Sequence, residues 1–442
     1  AQPGWDKLGL EARRALVGRF GEELDKRHDE LARAIAAEAG KPLWEARGEA
    51  AALNKKIQIM SAAGLEYTRE RVLHHGSGRA VYRPLGVLAV LGPFNFPLHL
   101  PNGHIIPGLL TGNTVVIKPS EHTGASMQLY VECAEAAGFP PGVVNLVQGP
   151  GPVGATLAAH PGVDAVLFTG SYETGLRIKR ATLEQPGKML ALEMGGKNTS
   201  IVLDDAQREQ AAHEIFQAAF LTAGQRCTAT SRVAVHASLA EELIERLAQL
   251  IGRVTVGDTL SEDPFMGPLI DERAMERFLS AQQDDEGGRL EAIVRGARTR
   301  EDLDGNFVTP GLWRVHEFDP HGSHQGEELF GPDVVLYTFE TDEQAVEIAN
   351  GTDYGLAMSV FTEDESRFER LGYELRAGVL NMTRSTVGAS SMLPFGGVKK
   401  SGNHRPAAVT AGLYTTFPQA QMRVESGWSV EDGAIGALAK LK

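Results

Sequence analysis

Few residues in this chain of 442 could do covalent chemistry. One of its two cysteines, Cys227, stands in "AFLTAGQRCTATSR" (219–232), behind an apolar helical pattern and ahead of small polar residues. Small neighbours leave a thiol accessible, and Arg226 beside it would depress the thiol pKa toward the reactive thiolate. The other cysteine, Cys133, lies in the apolar stretch "YVECAEAAG" and reads as core filling. From these residues alone Cys227 is either a small buried hydrophobe or a nucleophile.

A carboxylate and an amide could serve such a nucleophile. Glu193 closes the apolar run of "KMLALEMGGKN" (188–198), which reads as a buried strand followed by two glycines. Desolvation there raises a carboxyl pKa toward neutrality, as a general base requires. The alternative is a structural ion pair with Lys197. Asn95 sits in "LGPFNFPLHLP" (91–101), where prolines and phenylalanines make the loop stiff and dry. That setting suits a neutral donor to an oxyanion, or an ordinary turn.

Two further stretches end strands in residues suited to a dinucleotide. "TVVIKPSEHTG" (114–124) carries Lys118, Ser120 and Glu121 at its tip; "AVLFTGSYETG" (165–175) carries Gly170, Ser171 and Gly175. A helix N-terminus after a glycine turn can face phosphate, and an acidic side chain at a neighbouring strand tip can hold ribose. Neither stretch has the G-x-G-x-x-G form, and each alone could be a plain turn.

The elements that would position these residues follow from periodicity. The first seventy or so residues read as helices, with Leu16, Val17, Phe20 and Leu24 on one face and Leu31, Ile35 and Ala39 on the next. Gly40-Lys41-Pro42 marks a stop between them. From Gly86, short apolar runs at 87–91, 114–117, 143–147, 165–168 and 189–192 alternate with helical segments. Continuous apolar strands alternating with helices predict a parallel sheet covered on both faces. The alternation restarts with strands at 199–203 and 232–236 and helices at 209–221 and 239–251, which predicts a second α/β domain to about Ser390.

Composition narrows the class of function. A chain this long predicts two or three domains. The net charge of −14 argues against nucleic acid or an anionic membrane as partner. Two cysteines form no disulfide framework, and no Cys/His spacing suggests a metal site. With no signal peptide or membrane-spanning run in the sequence, a cytoplasmic setting is the expectation.

Taken together, "FNFP", "KPSE", "FTGSYETG", "LEMGGKN", "GQRCT", "EELFGP" and "PFGGVKKSGNHR" resemble, in order and approximate spacing, the NAD(P)-dependent aldehyde dehydrogenase superfamily. The resemblance covers nearly the whole chain. It implies an α/β fold with a Rossmann-like parallel-sheet cofactor domain (1–72, 87–196 and 394–414), an α/β catalytic domain (197–393) and a small β oligomerisation flap and tail (73–86 and 415–442). It further implies that Cys227 adds to an aldehyde, that Asn95 and the Cys227 N–H hold the oxyanion, and that Glu193 activates the water that hydrolyses a thioester. NAD would be held by Phe94, Lys118, Glu121, Gly151, Gly170, Ser171, Thr174, Gly175, Glu328 and Phe330. The charge of Glu121 should repel a 2′-phosphate, which favours NAD over NADP.

Within the superfamily, "GKPLWEA", "LTAGQRCT" and "GASS" followed by "SGNHRP" resemble the branch acting on N-succinylglutamate 5-semialdehyde in arginine catabolism. That substrate carries several carboxylates, for which Arg384, Ser390 and Ser391 are candidates. Thr228-Ala229-Thr230 stands where a second cysteine is expected, and "NMTRSTVGASS" departs from that branch. Glu193 speaks against a CoA-acylating relative, which tends to lack a carboxylate there. The family also implies a homodimer or tetramer, and several dozen residues contributing strands ahead of the first helices.

Overall fold

Apolar residues at helical spacing bury one face of each N-terminal helix. In the computed structural model, which describes residues 1–73, 78–261 and 263–423, the helices Leu10–Lys26, His28–Ala39 and Leu43–Ile59 bury Leu16, Val17, Phe20, Leu24, Leu31, Ile35 and Ala39. Gly40 takes φ +66°, the left-handed geometry that glycine adopts cheaply, and ends the second of them.

These helices cover one face of a five-stranded parallel sheet. Its strands lie in the order Val144–Leu146, Thr114–Lys118, Val87–Leu91, Ala165–Thr169, Met189–Glu193. Leu88, Val90, Val115, Ile117, Leu167 and Ala191 face the N-terminal helices, while Ala89, Leu91, Val166, Phe168 and Leu192 face the other side. Both faces are buried, so the strands read as continuous apolar runs. The chain winds one way from Val87–Leu91 and the other way through Ala165–Thr169. The turn after each of those strands therefore flanks the switch point, where open α/β sheets bind ligands.

A seven-stranded sheet follows, in the order Leu290–Val294, Gly311–Val315, Asp333–Phe339, Thr230–His236, Asn198–Val202, Ala357–Phe361, Val379–Met382. Only its first pair is antiparallel. Helices Arg208–Phe220 and Ala240–Ile251 cover one face, and Asp342–Asn350 covers the other. The two sheets are joined by residues 194–197, so the end of Met189–Glu193 and the start of Asn198–Val202 stand close together.

A small antiparallel sheet joins Arg71–Val72, Gly78–Pro84 and Thr416–Met422. Part of the flap and tail expected at 73–86 and 415–442 therefore meets in one sheet; residues 74–77 and 424–442 lie outside the described residues. Val72, Leu73, Phe417 and Met422 are exposed along it.

Candidate active site

The loop carrying Cys227 begins where the helix Arg208–Phe220 stops. Thr222, Ala223 and Gly224 take φ of +56°, +52° and +69° in succession. For the two non-glycines this geometry costs on the order of 1–3 kcal/mol each, so surrounding contacts must hold it. Gln225 supplies several: its amide nitrogen donates to the carbonyls of Thr222 and Pro268 at 3.2 and 3.3 Å, and its amide oxygen accepts from Ile270 N at 3.0 Å. A Cβ on Gly224 would lie 2.2 Å from the Gly331 carbonyl, so the loop leans directly on the "EELFGP" stretch.

The Cys227 thiol is pushed up to about 12, first by burial and then by the negative charges of Glu328 and Glu193. This corrects the expectation that Arg226 would depress it. The Arg226 guanidinium is occupied by Glu45 at 2.7 Å and by the Thr222 hydroxyl at 2.9 Å, and its pull on the thiol is the smaller influence. Cys133 is buried in the helix Gly124–Ala136, as a filler residue is.

Glu193 is the last residue of its strand and is buried. Burial holds its carboxyl well above the usual carboxylate range, and its Oε2 has no hydrogen-bond partner among the described residues. Gly396 makes room for it: a Cβ there would lie 2.8 Å from Oε1. Among the described residues no ion pair joins Glu193 to Lys197. Burial pushes the Lys197 ammonium down to about 8, and Asp333 is its strongest opposing charge. Asn95 is also buried, and its amide nitrogen donates to the Gln225 carbonyl at 2.9 Å. One N–H of that amide thus ties its loop to the nucleophile loop, and a second remains for a ligand.

The residues expected to meet a dinucleotide stand at the carboxyl ends of the five-stranded sheet or beside the Cys227 loop. Lys118 Nζ lies 3.4 Å from Glu121 Oε2, the lysine buried and the carboxylate half exposed. Gly151 opens the helix Gly151–Ala159 with free space where a Cβ would stand. Ser171 caps the helix Tyr172–Ala181, accepting from Thr174 N at 3.3 Å. At Gly170 and Gly175 the space is filled instead by the Phe168 ring and Met194 Sδ, so their smallness serves packing of this turn and helix on the sheet. Phe94 and Phe330 meet edge to face at 5.8 Å. Glu328 Oε1 accepts from Gly196 N at 2.8 Å, and burial pushes its carboxyl up to about 7. A cation–carboxylate pair, two helix N-termini and an aromatic pair along one row of strand ends are a donor set that fits a dinucleotide.

Arg384, Ser390 and Ser391 lie on the loop after the strand Val379–Met382. Arg384 is exposed and donates to the Gly388 carbonyl at 3.2 Å; Ser390 is exposed and accepts from Met392 N at 3.2 Å; Ser391 is half-buried. Thr386 hooks this loop to the nucleophile loop, its hydroxyl donating to the Thr228 carbonyl at 2.7 Å.

Four residues that shape the site had no role in the sequence reading: Asn198, Gln225, Glu45 and Thr386. All four lie inside quoted stretches, but their partners are remote in sequence. Among the described residues no group of three or more His, Cys, Asp or Glu side chains could hold a metal ion, and no helix is long and apolar enough to cross a membrane.

The model of the aldehyde dehydrogenase family matches residues 1–417. An N-succinylglutamate 5-semialdehyde dehydrogenase from Novosphingobium aromaticivorans is 42% identical over 433 residues, covering 96% of this chain and 90% of that protein. One from Chromobacterium violaceum is 42% identical over 431 residues, covering 96% and 87%. Among solved structures, a gamma-glutamyl-gamma-aminobutyraldehyde dehydrogenase from Burkholderia cenocepacia superposes with a TM-score of 0.90 at 31% identity, covering 95% of this chain and 85% of that one. An NAD+ complex of an aldehyde dehydrogenase from Bacillus cereus superposes with a TM-score of 0.89 at 30% identity, covering 94% and 84%.

Proposed function

This chain belongs to the aldehyde dehydrogenase family, and from that premise we propose that it oxidises N-succinylglutamate 5-semialdehyde to N-succinylglutamate with NAD. The observation that carries the chemistry is one constellation. A thiol on a strained loop is tied through Gln225 to a buried amide, near a buried carboxyl with an unpartnered oxygen. The substrate rests on the relatives, which are 42% identical over nearly all of this chain.

In this reading the Cys227 thiol gives its proton to solvent as Sγ bonds to the aldehyde carbon, and the carbonyl π pair moves to its oxygen, which becomes an oxyanion. Asn95 donates its free N–H to that oxygen together with the Cys227 backbone N–H. NAD, when bound at the strand tips, would supply the acceptor for the hydride lost as the adduct on Cys227 becomes a thioester. Glu193, ionised, then takes a proton from water as the water oxygen bonds to the thioester carbon. The C–S bond breaks and the carboxylic acid leaves. A raised carboxyl pKa suits this step, because a weakly basic carboxylate abstracts water protons poorly.

Lys118 and Glu121 would hold the adenine ribose, Gly151 and the turn at 170–175 would face the pyrophosphate, and Glu328, Phe330 and Phe94 would border the nicotinamide. The Glu121 charge favours NAD. Arg384, Ser390 and Ser391 meet the substrate carboxylates at the mouth. Residues 1–72, 87–196 and 394–414 form the cofactor domain, 197–393 the catalytic domain, and the small sheet pairs with a second copy. The test is reduction of NAD and NADP across N-succinylglutamate, glutamate and succinate semialdehydes and simple aliphatic aldehydes. Succinylglutamate semialdehyde with NAD should give the highest kcat/KM and free acid as product. A preference for an aliphatic aldehyde, or an acyl-CoA product, would overturn the reading.

A further inference from the structure

The helix Leu43–Ile59 carries neither reacting group, yet two of its carboxylates, one turn apart, grip the loops that do. Glu45 accepts from Thr222 N at 3.1 Å, from the Thr222 hydroxyl, and from Arg226 Nη2 at 2.7 Å. Glu49 accepts from the N–H groups of Leu98 and His99 at 3.1 and 3.0 Å, and from Lys41 Nζ at 2.6 Å. Leu98 and His99 follow Asn95 where its stiff loop enters the helix His99–Leu110.

The two grips share a centre. The Phe96 ring, next to Asn95, has Lys41 Nζ at 3.4 Å and the Arg226 guanidinium carbon at 5.1 Å from its centroid. Glu45, Glu49 and Lys41 are buried, and Arg226 nearly so. Four charges out of water are a poor way to stabilise a core, which apolar residues would fill at least as well. They are a good way to fix geometry, because each has one satisfied arrangement. Burial pushes the Glu45 carboxyl up, but Arg226, Lys41 and the Thr222 hydroxyl together outweigh it and hold the group below its usual range.

Resting on the roles of Cys227 and Asn95 given above, we propose that Glu45 and Glu49 are positioning residues that hold the nucleophile loop and the oxyanion loop in mutual register from one rigid helix. Glu45 holds the left-handed turn at Thr222, and Glu49 holds the start of the helix after Asn95. Arg226 acts as the counter-ion of Glu45 rather than as an activator of its neighbouring thiol.

The experiment compares Glu45→Gln, Glu45→Asp, Glu49→Gln and the double variant E45Q/R226M in the full chain. It reads the pre-steady-state burst of NADH, alkylation of Cys227 by iodoacetamide, and thermal melting. Glu45→Gln should slow both burst and alkylation by roughly tenfold or more, since misplacement of about 1 Å costs that order. Glu49→Gln should slow the burst alone, because alkylation develops no oxyanion for Asn95 to hold. Glu45→Asp should recover part of the loss. The double variant removes the unpaired cation, so it should regain melting temperature while its burst stays slow. The proposal is overturned if either Gln variant keeps the wild-type burst. It is equally overturned if Glu49→Gln slows both reactions alike, or if the burst returns with melting temperature in the double variant. Cys227→Ala is the separate control: surviving turnover there defeats the nucleophile reading itself, independently of the four variants.

Discussion

Asn198 pins the nucleophile loop from beneath, its amide nitrogen donating to the Cys227 carbonyl at 2.8 Å and to the Ala229 carbonyl at 2.9 Å. Its amide oxygen accepts from Ala357 N at 3.0 Å, which fixes the amide orientation. Gly196 closes the other side: a Cβ there would lie 2.4 Å from the same Cys227 carbonyl. The start of the strand Asn198–Val202 and the glycine before it thereby fix the Cys227 backbone.

Replacing Asn198 by Ala should leave two loop carbonyls without their donor and let the thiol drift. Loss of these bonds should cost about 1–3 kcal/mol of stability, and misplacement should slow thioester formation by roughly 10–100-fold. Stopped-flow NADH bursts with calorimetric melting would check both. A burst at the wild-type rate would show that the loop holds itself.

The thiol has a pH signature. Because Cys227 is held up to about 12 by burial, Glu328 and Glu193, its alkylation in the absence of NAD should climb steadily with pH through 9 with no plateau. Glu328→Gln removes one of the opposing charges and should raise the rate at every pH where Glu328 is ionised. A plateau near pH 7 in the wild type would mean that the thiolate forms unaided.

Glu328 also links stability to pH. Its carboxyl is raised from 4.5 to about 7, so the folded protein holds that proton more tightly than the unfolded chain does. The stabilisation is complete below 4.5 and is lost as pH rises through about 7. Glu328→Gln should therefore flatten this part of the melting profile and gain roughly 1–3 kcal/mol relative to wild type at pH 8. Parallel profiles for the two proteins between pH 4 and 8 would remove Glu328 as the source.

Much of this site was legible in sequence because its parts end regular elements. Glu193 and Lys118 close apolar strands, and Asn95 follows one, so period and position marked them. What stayed hidden depends on contacts between distant segments. Arg226 next to Cys227 suggested an activated thiol, but nothing in "GQRC" announces that Glu45, 181 positions away, takes the guanidinium. Asn198 read as one more residue of a glycine motif until its two carbonyl partners were in view. At Gly170 and Gly175 the missing Cβ makes room for the Phe168 ring and Met194 Sδ, contacts that the glycine turn itself does not announce. Side chains that act through a remote partner leave little local pattern, and these are the ones sequence reading misassigned or passed over.

The central claim is that Cys227 carries the acyl group until Glu193 delivers water to it. Glu193→Gln should form the thioester at the wild-type rate and then release it slowly, with kcat lowered by roughly 10²–10⁴-fold. Rapid acid quench of that variant with N-succinylglutamate 5-semialdehyde and NAD, followed by peptide mass spectrometry, should find one acyl group on Cys227 per burst equivalent of NADH. A burst with Cys227 unmodified, or no burst at all, would contradict the account.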